Sequence, residues 1–309
     1  MRVLIAIDGS DDGFEAVRQA ALLVAPEKDE IALYYSVPDI SVKAEPTPQC
    51  TTVDKMHGAL AEAVFEKARK YLSSDLARHA QDIVDSTDPR EGIVAAAERA
   101  KADMIVVGAR GLSPLARLLL GSVSRSVVHT ARVPVLVARR PKTLAQNDGL
   151  RVLVACDRPG TATAMAQLVC NLTWPTGTQG YSITVLAGLL VGQVPAWLEE
   201  RTRSPAITAL TQVWVGEQQE EFRRTKGKLA EFCRCLPDAF QQNPIAVNGH
   251  PADKILEMID RGNIDLVIVG AKRMGTIERF VVGSTSEAVL NHAPCSVLII
   301  RDKDSVKQY

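Results

Sequence analysis

Short apolar runs alternate along the chain with longer amphipathic segments, a pattern typical of strands alternating with helices. In the first half, the apolar runs predict strands at 2–7, 31–37, 82–86, 103–107 and 133–138. The segments between them predict helices at 10–24, 54–80, 90–100 and 121–131, and a Pro-rich loop at 38–52. Because uninterrupted apolar strands joined by helices are typical of parallel sheets covered on both faces, we predict a doubly wound α/β fold.

The second half of the chain repeats the first. Residues 89–139 laid on 251–301, an offset of 162 positions, give 16 identities in 51 positions without a gap. The segment 2–10 matches 151–159 at an offset of only 149, so the second copy carries 13 extra residues between these two regions. Repetition over such lengths indicates two copies of one fold.

The length of 309 residues therefore corresponds to two domains of ~150 residues rather than to one large α/β barrel. We expect the domains at about 1–145 and 148–309. The segment near 141–149 between them contains Pro, Asn, Asp and Gly without apolar periodicity, as expected of a linker.

The overall charge excludes one class of partner. The 36 basic residues equal the 36 acidic residues, and aromatic residues make up only 5% of the chain. Proteins that bind nucleic acid through bulk charge are strongly basic, and single-strand binders stack bases on aromatic side chains. No nucleic-acid partner is therefore expected.

The apolar content indicates neither export nor membrane insertion. The longest apolar stretch, 183–192, is shorter than the ~18 residues that a membrane span needs, and we predict it to be a buried strand. The N-terminus lacks the long apolar core and cleavage site of a signal peptide, and the six cysteines contain no CxxC pair. We expect a cytoplasmic protein with reduced thiols and no membrane contact.

The residues after strand 103–107 are the candidates for ligand binding. They have the spacing G-x2-G-x9-G-S, formed by Gly108, Gly111, Gly121 and Ser122. Gly108 and Gly111 let backbone amides approach a ligand without an intervening side chain. Such a loop, following a strand of a parallel sheet, predicts a ligand site at the carboxyl end of that strand.

A helix is predicted to start at the end of this loop, and helix starts attract anions. The N–H groups of Gly121, Ser122 and Val123 and the helix dipole favour a phosphate there. The hydroxyls of Ser122 and Ser124 are candidates for bonds to phosphate or to a metal ion. Asp8, at the end of the first strand, is a candidate for ribose hydroxyls, or alternatively for capping helix 10–24.

Other nucleotide-binding and catalytic motifs are absent from the sequence. It has no GxxxxGK[ST] loop, no GxGxxG after its first strand, no HExxH and no GxSxG. No general base for an attacking water is evident, so we identify no catalytic residue and expect at most slow hydrolysis of a bound phosphate compound.

The glycine motif, its strand–helix setting and its repetition resemble the universal stress protein domain, and the chain resembles a tandem member of that family. The resemblance covers nearly all of both copies, except 38–58 and most of 191–245. It implies that each domain is a Rossmann-like sheet of five parallel strands in the order 3-2-1-4-5. It also implies ATP binding with a divalent ion, Mg²⁺ or Mn²⁺. Domains of the family pair through their last strands, here 133–138 and 296–300, which implies internal pairing in a tandem chain or a homodimer.

The resemblance assigns nucleotide-binding roles to residues of the first copy. The acid on the adenine side matches Asp8, and the hydrophobic adenine contact falls on Val37 and less directly on Val107. The phosphate-binding glycines and the hydroxyl after the last of them match Gly108, Gly111, Gly121 and Ser122.

The second copy departs from this pattern at Arg273, which stands where the first copy has Gly111. The arginine either fills the phosphate pocket or supplies a guanidinium to phosphate, and both outcomes stay open. The other positions that match the first site are Asp157, Gly270, Gly283, Ser284, Thr285 and Ser286.

The sequence thus predicts an ATP-binding universal stress protein that acts in stress response as a nucleotide-dependent sensor or switch. Two alternatives remain: an interaction scaffold without nucleotide, which Arg273 and Pro159 favour for the second copy, and a weak ATPase or self-phosphorylating protein. Local charge favours the first domain as the site, because 104–142 holds seven basic residues and no acidic one, against five and four in 266–304.

Overall fold

The computed structural model describes residues 1–37, 48–111, 120–140, 149–157, 162–187, 205–242, 244–271 and 282–301; at 48–55, 205–212, 214 and 215 it describes the backbone alone. In the described part of the first half, strands and helices follow one another in this order: β1 (Arg2–Ala6), α1 (Asp11–Leu23), β2 (Glu30–Ser36), α2 (Pro48–Arg69), α3 (Ser74–His79), β3 (Gln81–Asp85), α4 (Pro89–Arg99), β4 (Met104–Gly108), α5 (Ser122–Thr130) and β5 (Val135–Ala138).

The second half repeats this succession. Its described elements are β6 (Arg151–Ala155), α6 (Thr163–Asn171), β7 (Gln179–Leu186), α7 (Pro205–Arg234), a 3₁₀ turn (Asp238–Phe240), β8 (Pro244–Asn248), α8 (Pro251–Gly262), β9 (Leu266–Gly270), α9 (Ser284–His292) and β10 (Ser296–Ile300).

The ten strands of the described residues lie in one sheet, in the order β3-β2-β1-β4-β5-β10-β9-β6-β7-β8. Within each half the strands are parallel and follow the order 3-2-1-4-5, as expected. The two halves meet where β5 pairs with β10 in antiparallel fashion. The internal contact between last strands that the resemblance implied is therefore present in the chain.

Apolar side chains cover both faces of this sheet, because successive residues of a strand point to opposite sides. In β1, Val3 and Ile5 belong to the cluster on the face covered by α1 and α2, whereas Leu4 belongs to the cluster on the face covered by α4 and α5. Both clusters run on into the second half. The α/β prediction is thus confirmed, with a core on each side of the sheet.

The predicted helix 54–80 is wrong in its extent. The chain forms two helices there, because the hydroxyl of Ser73 accepts a hydrogen bond from the N–H of Leu76 and caps a new helix. Helix α2 also begins at Pro48, within the predicted loop, of which 38–47 lie outside the described residues. In the described ranges, no helix combines the length and apolarity needed to cross a membrane.

Candidate functional site

A cavity of about 310 Å³ opens at the carboxyl ends of β1 and β4. Chain connections on either side of these two strands run in opposite directions across the sheet, and such switch points are where doubly wound folds bind ligands. The volume lies at the lower end of the range for small-molecule sites. The lining residues are Ala6, Ile7, Asp8, Gly13, Tyr34, Ser36, Pro89, Ile93, Val107, Gly108, Arg110, Gly111, Gly121, Ser122, Val123 and Ser124.

Hydrogen bonds from Ser10 orient the carboxylate of Asp8, which lies in the loop after β1. One oxygen of its carboxylate accepts hydrogen bonds from the Ser10 N–H at 3.0 Å and the Ser10 hydroxyl at 2.5 Å. Ser10, in turn, caps α1 by accepting from the N–H of Gly13. The alternative that Asp8 itself caps this helix is therefore wrong, and its carboxylate lines the cavity.

Two glycines of the motif stand where a side chain has no room. A Cβ on Gly111 would come within 2.6 Å of the second carboxylate oxygen of Asp8, so this glycine lets the loop pass directly over that acid. A Cβ on Gly108 would come within 2.6 Å of the backbone of Asp12, so this glycine lets the end of β4 approach the start of α1. The first constraint belongs to the cavity and the second to the fold.

The start of α5 forms the opposite side of the cavity. Gly121 is its N-cap and donates its N–H to the carbonyl of Ala109 at 2.8 Å, which closes the glycine loop, whose residues 112–119 lie outside the described part. Ser122 is exposed there and Val123 is half-buried. The N–H groups of a first helical turn have no acceptor within their own helix, so this end of the cavity suits an anion.

Ser124 has a different role from the one expected. Its buried hydroxyl donates to the carbonyl of Gly108 at 2.6 Å and thereby joins α5 to β4. The prediction that the Ser124 hydroxyl binds phosphate or metal is therefore corrected, because this hydroxyl donates its hydrogen bond within the protein. Ser122 is the serine whose side chain is exposed at the helix start.

Arg110 adds a cation to the cavity wall. It occupies the second variable position of the glycine spacing, and its Nε donates to Asp12 at 3.0 Å, where the Asp12 carboxylate is mostly buried. From the sequence, Arg110 is one of the seven basic residues of 104–142 and has no predicted role at the site. Its place between two motif glycines is the signal that identifies it.

The apolar wall of the cavity also departs from expectation. Tyr34, Ser36, Pro89 and Ile93 line it together with the predicted Val107, but Val37 is not among the lining residues. Alternation along β2 explains the difference, because Val37 packs with Leu33 and Tyr35 on the other face of the sheet. The same alternation, applied to the end of β2, would have selected Tyr34 and Ser36.

Tyr34 is almost completely buried beneath this wall. Burial, together with the nearby carboxylate of Asp85, raises the pKa of Tyr34 to about 12, so its hydroxyl stays protonated at neutral pH. Gly92, in the first turn of α4, leaves the space that the Tyr34 hydroxyl occupies. The deep end of the cavity therefore carries a neutral polar group.

The matching positions of the second domain are only partly described. Asp157 and Gly270 are exposed at the ends of their strands, and the positions at the start of α9 are Gly283, Ser284, Thr285 and Ser286. The hydroxyl of Ser286 donates to the carbonyl of Gly270 at 2.6 Å, as Ser124 does to Gly108. Arg273 lies outside the described residues.

Side-chain ligands for a metal ion are sparse at the site. Within the described ranges, no three or more His, Cys, Asp or Glu side chains come together as a metal-binding group.

Comparison with known proteins identifies relatives of both halves. The model of the universal stress protein family matches residues 1–139 and, a second time, residues 151–301. A universal stress protein of Mycolicibacterium smegmatis is 26% identical over 308 residues, 97% of this chain and 97% of that protein. One from Methanocaldococcus jannaschii is 30% identical over 144 residues, 46% of this chain and 83% of that protein.

A solved structure supports the fold over the whole chain. A universal stress protein from Archaeoglobus fulgidus, 22% identical, matches with a TM-score of 0.60 over 97% of this chain and 98% of that one. At this level of identity the likeness concerns the fold alone.

Proposed function

Because the chain belongs to the universal stress protein family in both of its halves, we propose that it is a nucleotide-binding stress protein whose first domain holds ATP with Mg²⁺ or Mn²⁺. The nucleotide acts as the signal of a sensor or switch. One observation carries the proposal: eight of the nine residues predicted for this site from the sequence of the first domain line a single cavity at the switch point of the sheet.

The two ends of the cavity suit the two ends of a nucleotide. Val107, Ile93 and Asp8 line the cavity. The two apolar side chains would contact the base, and the carboxylate of Asp8 would accept hydrogen bonds from ribose hydroxyls. Gly111 and the start of α5 present backbone N–H groups to the phosphates, as helix N-termini do in other phosphate sites. This arrangement assigns each end of the ligand to groups of matching polarity.

A bound nucleotide would also supply ligands to the metal ion. Mg²⁺ usually keeps several waters and binds through substrate phosphates and only one or two protein groups. The hydroxyl of Ser122, exposed at the start of α5, is the side chain that we propose as its protein ligand. The ion would neutralise phosphate charge.

We test the site with Gly111→Ala in the intact chain. The new Cβ would meet the Asp8 carboxylate at 2.6 Å, whereas the surrounding core would stay intact because Gly111 is exposed. We expect ATP affinity, measured by calorimetry with Mg²⁺, to fall by about 10-fold or more, which corresponds to ~1.4 kcal/mol. Asp8→Ala should lower it about 10- to 100-fold through lost charged hydrogen bonds.

Gly270→Ala is the matched control, since among the described residues its Cβ would meet only the flexible end of Met165, at 3.8 Å. It should leave ATP affinity in the first domain unchanged. Wild-type affinity in both Gly111→Ala and Asp8→Ala would exclude the proposed site.

Mass spectrometry of the purified protein separates the alternatives left open by the sequence. Co-purified ATP supports the proposal, absence of nucleotide together with no calorimetric binding supports a scaffold, and phosphoserine supports a self-phosphorylating protein. Nucleotide binding by the second domain stays a prediction, because Arg273 is outside the described residues.

A further inference from the structure

The contact between the two halves has an approximate twofold symmetry. In the antiparallel pairing of β5 with β10, Leu136 lies opposite Leu298. These two positions are 162 apart, which is the offset that relates the two copies of the repeat. Leu136 therefore meets its own counterpart, and the pairs Val135–Ile299 and Val137–Val297 on either side exchange counterparts, as they would about the axis of a symmetric dimer.

Two arginines follow this symmetry. Arg139, after β5, donates to the carbonyl of Leu290 at 2.5 Å and to that of Cys295 at 3.3 Å in the second half. Its counterpart Arg301, after β10, donates to the carbonyl of Val128 in the first half. Val128 and Leu290 are again counterparts, and both lie in the last turn of their helices, where carbonyl groups attract a cation. These contacts would form equally well between two identical domains.

The helices beside the axis break the symmetry in charge. Arg125 of α5 meets its own counterpart, Glu287 of α9, at 3.0 Å. Arg125 also donates to Asn291 at 2.9 Å, and His129, the counterpart of Asn291, lies 3.3 Å from Glu287. The first half thus contributes two basic groups to this contact, and the second half contributes an acid and its amide neighbour.

A second asymmetry lies at the end of the paired strands. The hydroxyl of Ser296 accepts from the N–H of Arg139 at 2.9 Å and donates to its carbonyl at 3.2 Å. The counterpart of Ser296 is Pro134, which has neither a hydroxyl nor an N–H to offer. The second half therefore carries hydrogen-bonding groups that the first half lacks.

We propose that these unlike residues make the contact selective: the last strand and helix of the first domain fit those of a second domain, and reject another copy of the first. A pair of first domains would place Arg125 against Arg125 and lose the Ser296 bonds. A pair of second domains would place Glu287 against Glu287. Like charges facing each other destabilise an interface and suppress the wrong partner.

A charge-reversal cycle in the full chain tests this selectivity. Glu287→Arg gives the internal contact the Arg–Arg pairing of two first domains, and Arg125→Glu gives it the Glu–Glu pairing of two second domains. We expect each variant to lower Tm by about 2–4 °C. The double variant R125E/E287R restores opposite charges and should recover at least half of the summed loss. Because Arg125 is 42% and Glu287 27% exposed, the recovery should weaken in 1 M salt.

A matched cycle on Arg224 and Glu220, an exposed ion pair within α7, should show single changes below about 1 °C and no recovery. Recovery confined to the Arg125–Glu287 cycle supports the proposal. Single variants with wild-type Tm, or a double variant whose loss equals the sum of the two single losses, would overturn it.

Discussion

At the scale of single residues, the carbonyls of Gly108 and Gly270 show how both domains join a strand to the following helix. Each accepts a 2.6 Å hydrogen bond from a serine sixteen residues later, Ser124 in the first domain and Ser286 in the second. The two serines are buried, so the loss of either hydroxyl leaves a strand-end carbonyl without this donor.

We therefore expect Ser124→Ala and Ser286→Ala to lower the free energy of unfolding by similar amounts, about 1–2 kcal/mol each. Urea denaturation measures the loss. Ser122→Ala is the matched control, because its exposed side chain should change stability by less than about 0.5 kcal/mol. Unchanged stability of Ser124→Ala would contradict this structural role.

At the scale of elements, the start of α4 illustrates how a local signal defines a helix. Pro89 occupies its first turn, and the carboxylate of Asp88 accepts a hydrogen bond from the N–H of Arg90 at 2.9 Å. Hydrogen bonds from Arg90 lower the pKa of Asp88 to about 2, and the bond from the Arg90 side chain contributes more than the bond from its backbone N–H. Because this pKa lies below the ordinary 3.8, the carboxylate stabilises the fold above pH ~4 and loses this effect as the pH falls towards 2.

Thermal unfolding from pH 7 to pH 2.5 checks this cap. Asp88→Ala should lower Tm by about 2 °C at pH 7, and the difference from wild type should shrink below pH 4. Asp88→Asn keeps a capping oxygen that does not titrate, so it should stay close to wild type at pH 7. A difference between Asp88→Ala and wild type that is constant across the whole range would show that the carboxylate charge plays no part.

At the scale of the whole molecule, pairing of the two domains places β5 and β10 in the middle of a ten-stranded sheet. The residues of β5 are fully buried, and those of β10 nearly so. The strands β3 and β8 lie at the two ends of the sheet and carry partly or fully exposed residues. Domain pairing thus converts what would be an outer strand of each domain into its most protected one.

Hydrogen exchange followed by mass spectrometry should reflect this order. Amides of β5 and β10 should exchange about 100-fold or more slowly than those of β3, because they open only when the domains separate or unfold. Equal rates in β5 and β3 would mean that the paired strands separate readily in solution.

The sequence by itself determined the repeated α/β organisation, the strand order through resemblance, and the spacing of glycines at the cavity. These features follow from short-range patterns: apolar periodicity, caps such as Asp88, and backbone freedom at Gly111. Only the tertiary structure decided which side chains meet across elements. In the folded protein Val37 lies on the far face of the sheet and Tyr34 lines the cavity. The Ser124 hydroxyl donates to a strand carbonyl, and Arg125 pairs with Glu287. Those contacts depend on how distant elements pack, and no local pattern of the chain encodes that packing.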